Sequence, residues 1–179
     1  MYESIFTSTQ LKTNLREVKA AADKGIVYIT ENGVVEYLFM SLDIYNSEVE
    51  RIQAEARWEV SAGNVIRWAS DEFARGEFDE VANGVYRTRT FTESLARPDI
   101  PAPAPSEATA IEYFSKSAGI GLDVSDLLER ARPFGGRVFK LYYDGADIIY
   151  ERRDNTGEIL LCGLVPSVDQ FKALVREGR

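Results

Sequence analysis

The chain has 179 residues, 45% hydrophobic and 11% aromatic, enough apolar side chain for one core or two small ones, which excludes a wholly disordered polymer. Its net charge of −8 disfavours broad nucleic-acid binding, because counterion release rewards Lys and Arg. It has no histidine and a single cysteine, Cys162, which excludes an internal disulfide and every Ser–His or Cys–His arrangement and points to a cytoplasmic origin.

No apolar run approaches the roughly 20 residues of a membrane span. The start, "MYESIFTSTQLKTNL", lacks the basic-then-apolar order of a signal peptide. Cys162 lies in the apolar run "EILLCGLV" and reads as a core residue. There is no Gly-rich phosphate loop and no metal-ligand cluster. No catalytic residue, metal or cofactor is expected.

In chain order, Thr and Ser near residue 8 cap a helix over Thr9–Lys24, with Leu11, Leu15, Val18 and Ala22 at helical spacing and Gly25 as a left-handed stop. "IVYIT" and "VVEYLFMS" read as two strands joined by Asn32-Gly33, the preferred pair for a tight hairpin. "SLDIYNSEVERIQAEARWEV" starts a further helix with a short break near Tyr45, and Val49, Ile52, Ala56 and Val60 fall on one stripe. Trp58, Ala62, Val65, Ala69 and Phe73 continue a helical pattern to about Asn83, with Trp68 and Phe78 close by. "NGVYRTRTFTESLA" reads as a strand or an extended arm.

"RPDIPAPAPSE" holds four of the six prolines and marks a linker. Two short helices are expected over 106–119 and 123–136. "RVFKLYY", "ADIIYERR" and "EILLCGLV" then form a three-stranded antiparallel meander, and "PSVDQFKALVREGR" a closing helix. The fold class is therefore α+β, with a small helix–hairpin–helix domain, a long helix, a Pro-rich linker and a small α+β module.

"TSTQLKTNLREV", the Gly-led "VYIT-NG" and "MSLDIYNSE" together resemble the N-terminal domain of the Phd/YefM family of antitoxins, over about residues 4–55. The resemblance implies a type II toxin–antitoxin system. The chain would dimerise through its N-terminal domain, bind operator DNA, repress its own operon and neutralise a partner toxin by direct contact. On that resemblance the domains are residues 1–57 for dimerisation and DNA binding, 58–96 for toxin binding or connection, 97–106 for the linker and 107–179 for the C-terminal module.

The expected DNA-binding residues are Thr9, Lys12, Asn14 and Arg16, with Lys12 at the basic position of "KTNL". The chain departs from the family at Glu31, where the hairpin turn commonly carries Arg or Lys; a carboxylate there repels phosphate. The expected toxin-binding residues are Trp58, Val65, Trp68, Phe73 and Phe78. The same aromatics also read as packing on the chain's own C-terminal part. "GGRVFKLYYDGADIIYERRD" loosely resembles the RelE/ParE toxin fold. This leaves open a ribonuclease module in which Arg137, Lys140, Arg152 and Arg153 hold phosphate and Tyr142, Tyr143 or Tyr150 move a proton. A third reading is an adaptor that does not bind DNA.

Overall fold

The computed structural model describes residues 4–100, 119–124 and 132–178. The fold is α+β with two sheets, and the chain divides into two compact units, Met1–Ile52 and Gln53–Arg179. No helix among the described residues is long and apolar enough to cross a membrane.

The first unit contains β1 (Ser4–Thr7), α1 (Ser8–Thr13), α2 (Leu15–Ala22), β2 (Val27–Glu31) and β3 (Val34–Phe39), followed by the start of α3 (Leu42–Ala74). A capping box opens α1. The Thr7 hydroxyl accepts from the Gln10 N–H at 3.1 Å, and the Gln10 side chain accepts from the Thr7 N–H at 2.8 Å.

The single helix expected over Thr9–Lys24 is two helices, broken at Asn14 (φ −131°, ψ 44°). A short amide side chain competes with the helical backbone for hydrogen bonds, and Asn14 turns its own amide to the Glu17 carboxylate in α2. The break leaves Leu15 exposed, off the apolar stripe to which its spacing assigns it. Gly25 is buried and does not take the left-handed conformation expected of it.

Strand β1 has no counterpart in the expected elements. It pairs parallel with β2, from Ser4↔Val27 to Thr7↔Thr30, and β2 pairs antiparallel with β3. Asn32 (φ 51°) and Gly33 (φ 81°) close this hairpin in the left-handed region that an Asn-Gly turn requires. Val18 and Ala22 of α2 pack on Val27 and Ile29 to make the unit's core. Strand β3 is exposed along almost its whole length.

The second unit starts with the rest of α3. The apolar pattern predicts a helix to about Asn83, but α3 ends at Ala74. The Gly76 N–H donates to Phe73 O and the Glu77 N–H to Glu72 O, with Gly76 left-handed at φ 73°. This Schellman arrangement needs the missing Cβ of glycine. Then follow β4 (Phe78–Ala82), β5 (Val85–Thr88), α4 (Arg89–Ser94), β6 (Ile120–Gly121), β7 (Arg137–Tyr143), β8 (Ala146–Arg152), β9 (Ile159–Pro166) and α5 (Val168–Arg176).

The sheet order is β4-β5-β9-β8-β7-β6. The meander β7-β8-β9 is antiparallel as expected, and β5 joins β9 in parallel. Segment 58–96 is thus an integral part of this unit: α3 covers the sheet and the β4-β5 hairpin extends it. The linker lies largely, and the two helices expected over 106–136 mostly, outside the described residues. Gly119–Val124 contains a short edge strand.

Strand β9 is buried on both faces. Leu160, Cys162 and Val165 pack with Ala54, Trp58, Ala62, Val65, Ile66 and Ala69 of α3, while Leu161 and Leu164 pack with Phe91 of α4. Burying a Leu, Ile, Val or Phe side chain in this way stabilises the fold by roughly 1.5–3 kcal/mol. Between them Gly163 lets α3 approach closely: a Cβ there would meet Val65 Cγ1 at 2.7 Å.

Glu151, 0% exposed, points into the α3-side core. One of its oxygens accepts from the Gly136 N–H at 3.2 Å, and the other has no hydrogen-bond partner among the described residues. Burial pushes its carboxyl up, against the opposing pull of Arg132, the Gly136 N–H and Arg153.

Two outcomes follow from this packing. Gly163→Ala lowers stability by about 1–3 kcal/mol, the usual cost of overpacking; an unchanged melting temperature would show that α3 is free to lift from β9. For Glu151, the fold prefers the neutral acid. Its contribution is therefore complete below the ordinary carboxylate pKa and is lost as pH rises through the raised one. Glu151→Gln raises stability at neutral pH and flattens its decline above about pH 4. A drop in melting temperature at pH 7 would mean that the charge itself is needed.

Candidate nucleic-acid and protein interfaces

In the first unit, Thr9, Lys12, Asn14 and Arg16 are all exposed and follow one another along α1, the break and the first turn of α2. Thr9 uses its backbone carbonyl to accept from the Thr13 hydroxyl, at 2.9 Å. Lys12, Arg16, Lys19 and Lys24 form no ion pairs among the described residues, so their charge is free for an external anion.

Glu31 is exposed at the hairpin turn. The parallel register Thr7↔Thr30 and the bond from the Ser8 hydroxyl to Thr30 O, at 3.4 Å, bring this turn beside the first turn of α1. The acid therefore borders the start of α1, the helix that carries Lys12.

The same unit exposes an apolar surface. Val34 is 63% exposed, Tyr37 61% and Leu38 56%, all on β3, a strand at the edge of its sheet. Leu42 and Tyr45 at the start of α3 are exposed as well. A three-stranded sheet covered on one side only, with a bare apolar edge, has the marks of a surface that another chain completes.

In the second unit, the five residues expected to bind a toxin do not form one open stripe. Trp58 and Val65 are core residues. The Trp58 indole N–H donates to Asp147 Oδ2 at 2.8 Å, and Lys140 Nζ sits 4.6 Å from the ring centroid. Phe73 is half-buried, and Phe78 lies on β4 rather than on a helix, stacked on Phe73 with ring centroids 4.6 Å apart. Phe134 and Tyr86 complete this aromatic group. Trp68, 48% exposed, is the one of the five that stands open. The inward placement has a simple cause: Trp58 and Val65 fall on the helix face that the meander needs for its own cover, the packing that the sequence left open for the aromatics.

Beside Trp68 is a concavity of about 330 Å³ that sequence reasoning missed, lined by Asp71, Glu72, Arg75, Arg89 and Glu93 among others. Its floor is tied together by Glu72, 3% exposed. The Glu72 carboxylate accepts from the Thr90 N–H and the Thr90 hydroxyl, each at 2.9 Å, and so joins α3 to α4. Asn83-Gly84 was the available signal that a hairpin would bring α4 back to α3, since it repeats the turn chemistry of Asn32-Gly33.

The cations of the ribonuclease alternative are engaged within the fold. Arg137 pairs with Asp154 at 2.9 Å, Lys140 lies 3.9 Å from Asp147, and Arg153 holds Glu158 at 2.6 Å and donates to Phe134 O. Arg152 stacks over Phe139. Of the three tyrosines, Tyr150 is buried, Tyr143 half-buried and Tyr142 exposed.

No family model, no curated protein and no solved structure matches the chain.

The core role of Trp58 is measurable. Trp58→Phe keeps the aromatic bulk and removes the donor to Asp147, a carboxylate 4% exposed. The unpaired acceptor costs about 1–3 kcal/mol. Chemical denaturation reads that loss directly; an unaltered midpoint would show that the bond to Asp147 adds nothing to stability.

Proposed function

We propose that the chain is an antitoxin of Phd/YefM type: a homodimer built on its first unit that binds operator DNA and, through its second unit, binds and neutralises a partner toxin. One observation carries the reading. The unit that resembles the family has an uncovered apolar edge strand, β3, in the same small domain as the exposed cations Lys12 and Arg16, which form no ion pair among the described residues. A helix and a three-stranded sheet bury little on their own, and pairing through β3 buries the apolar surface that water otherwise meets. Pairing also presents the cations of two protomers to one duplex, so that phosphate contact depends on their placement rather than on the net charge, which pairing doubles as well.

Lys12 and Arg16 would meet phosphates, while Thr9 and Asn14 offer hydrogen-bonding groups on the same exposed run. Glu31 and the chain's negative charge keep non-specific affinity low, so binding relies on the few contacts that register correctly. The toxin is engaged by a folded surface rather than by a tail that orders on contact, because the second unit has a closed core of its own.

The test uses fluorescence anisotropy with DNA from just upstream of the reading frame, beside Lys12→Glu and Leu38→Asp. Lys12→Glu weakens binding about tenfold or more and makes the logarithmic salt dependence shallower by about one for each phosphate left without its cation. Leu38→Asp, at an exposed position, yields a folded monomer by sedimentation and abolishes specific binding together with the dimer. A wild-type chain that sediments as a monomer, or a dimer indifferent to the DNA at low salt, would overturn the repressor reading.

A further inference from the structure

The concavity beside Trp68 has a specific chemistry. Val65, Ile66 and Ala69 face the core, and helical periodicity then turns Trp68 outward. No ring and no cation stacks on its indole among the described residues. Asp71, half-buried one turn along the helix, forms no ion pair among them either.

Arg75 is drawn aside by Glu77, with two bonds of 2.9 Å. Arg89, its side chain 64% exposed, stands with Nε at 3.6 Å from Glu72 and 3.4 Å from Glu93, both beyond ordinary charge-assisted hydrogen-bond length. So the lining sets three carboxylates (Asp71, Glu72 and Glu93) against two guanidinium groups, and one of these, Arg75, is already paired with Glu77 outside the lining. The site already holds one guanidinium, loosely, and has charge for another.

We propose that this concavity receives an arginine side chain of a basic partner protein, its guanidinium stacked on Trp68 and paired with Asp71 and Glu93, with Arg89 moving aside. Arginine fits better than lysine because a planar cation both stacks on an indole and forms forked bonds to carboxylates. The partner's identity as a toxin rests on the function proposed above; the fit of the guanidinium does not.

The experiment titrates the full chain with a short peptide containing two arginines, beside its lysine counterpart of equal charge, reading tryptophan emission and heat of binding. Trp58 is buried, so the emission change reports Trp68. The arginine peptide gives saturable binding that salt weakens, and the lysine peptide binds about fivefold more weakly or less. Asp71→Asn with Glu93→Gln reduces arginine-peptide affinity about fivefold or more, and Arg89→Ala raises it. Equal affinity for the two peptides, no saturable signal, or indifference to the paired substitution would overturn the proposal. None of these readouts depends on DNA, so loss of the operator reading leaves them intact.

Discussion

The contact between Gly163 and Val65 is the constraint on which the second unit depends. A strand buried on both faces has to accept a helix on each, and α3 comes close only because β9 has no side chain at that point. Once α3 is seated there, its other positions have no freedom. Ala62, Ile66 and Ala69 must face the sheet, Trp58 reaches Asp147, and Trp68 turns to solvent. The helix ends where Gly76 takes a left-handed conformation, so β4 and β5 return along the sheet and α4 arrives opposite Glu72. Both the core and the concavity beside it derive from one close packing distance.

The first unit faces the opposite problem. Its core is four buried residues with a few half-buried neighbours, which is little for a sheet of three strands. The apolar side chains of β3 remain in water, and the turn that closes the hairpin is acidic. The unit thus combines an exposed apolar edge strand with exposed cations on its helices, the two features from which pairing and phosphate contact are proposed above.

The polar groups divide in a similar way between structure and surface. Glu72, Asp147 and Glu151 are all nearly or fully buried, yet their situations differ. Glu72 accepts from both the amide and the hydroxyl of Thr90, and Asp147 accepts from Trp58 with Lys140 nearby. Glu151 has one backbone donor, and burial raises the pKa of both Asp147 and Glu151. Two of these carboxylates position helices. The third is held by the Gly136 N–H, with Arg132 and Arg153 opposing the effect of its burial.

The sequence by itself determined the features that depend on neighbours along the chain. The Asn32-Gly33 and Asp144-Gly145 turns, the antiparallel meander and the closing helix at Ser167 are local, because turn conformations and side-chain alternation act over a few residues. The exposure of Thr9, Lys12, Asn14 and Arg16 also follows from the polarity of their stretch. Only the tertiary structure decided the rest. Whether an apolar helix face meets its own sheet or a partner is a question of what lies opposite, and periodicity is the same for both; Trp58 and Val65 turned inward for that reason. Strand β1 exists because β2 offers it a parallel edge. The site at Trp68 exists because Glu72 and Thr90, eighteen residues apart, share a hydrogen bond that no spacing rule encodes.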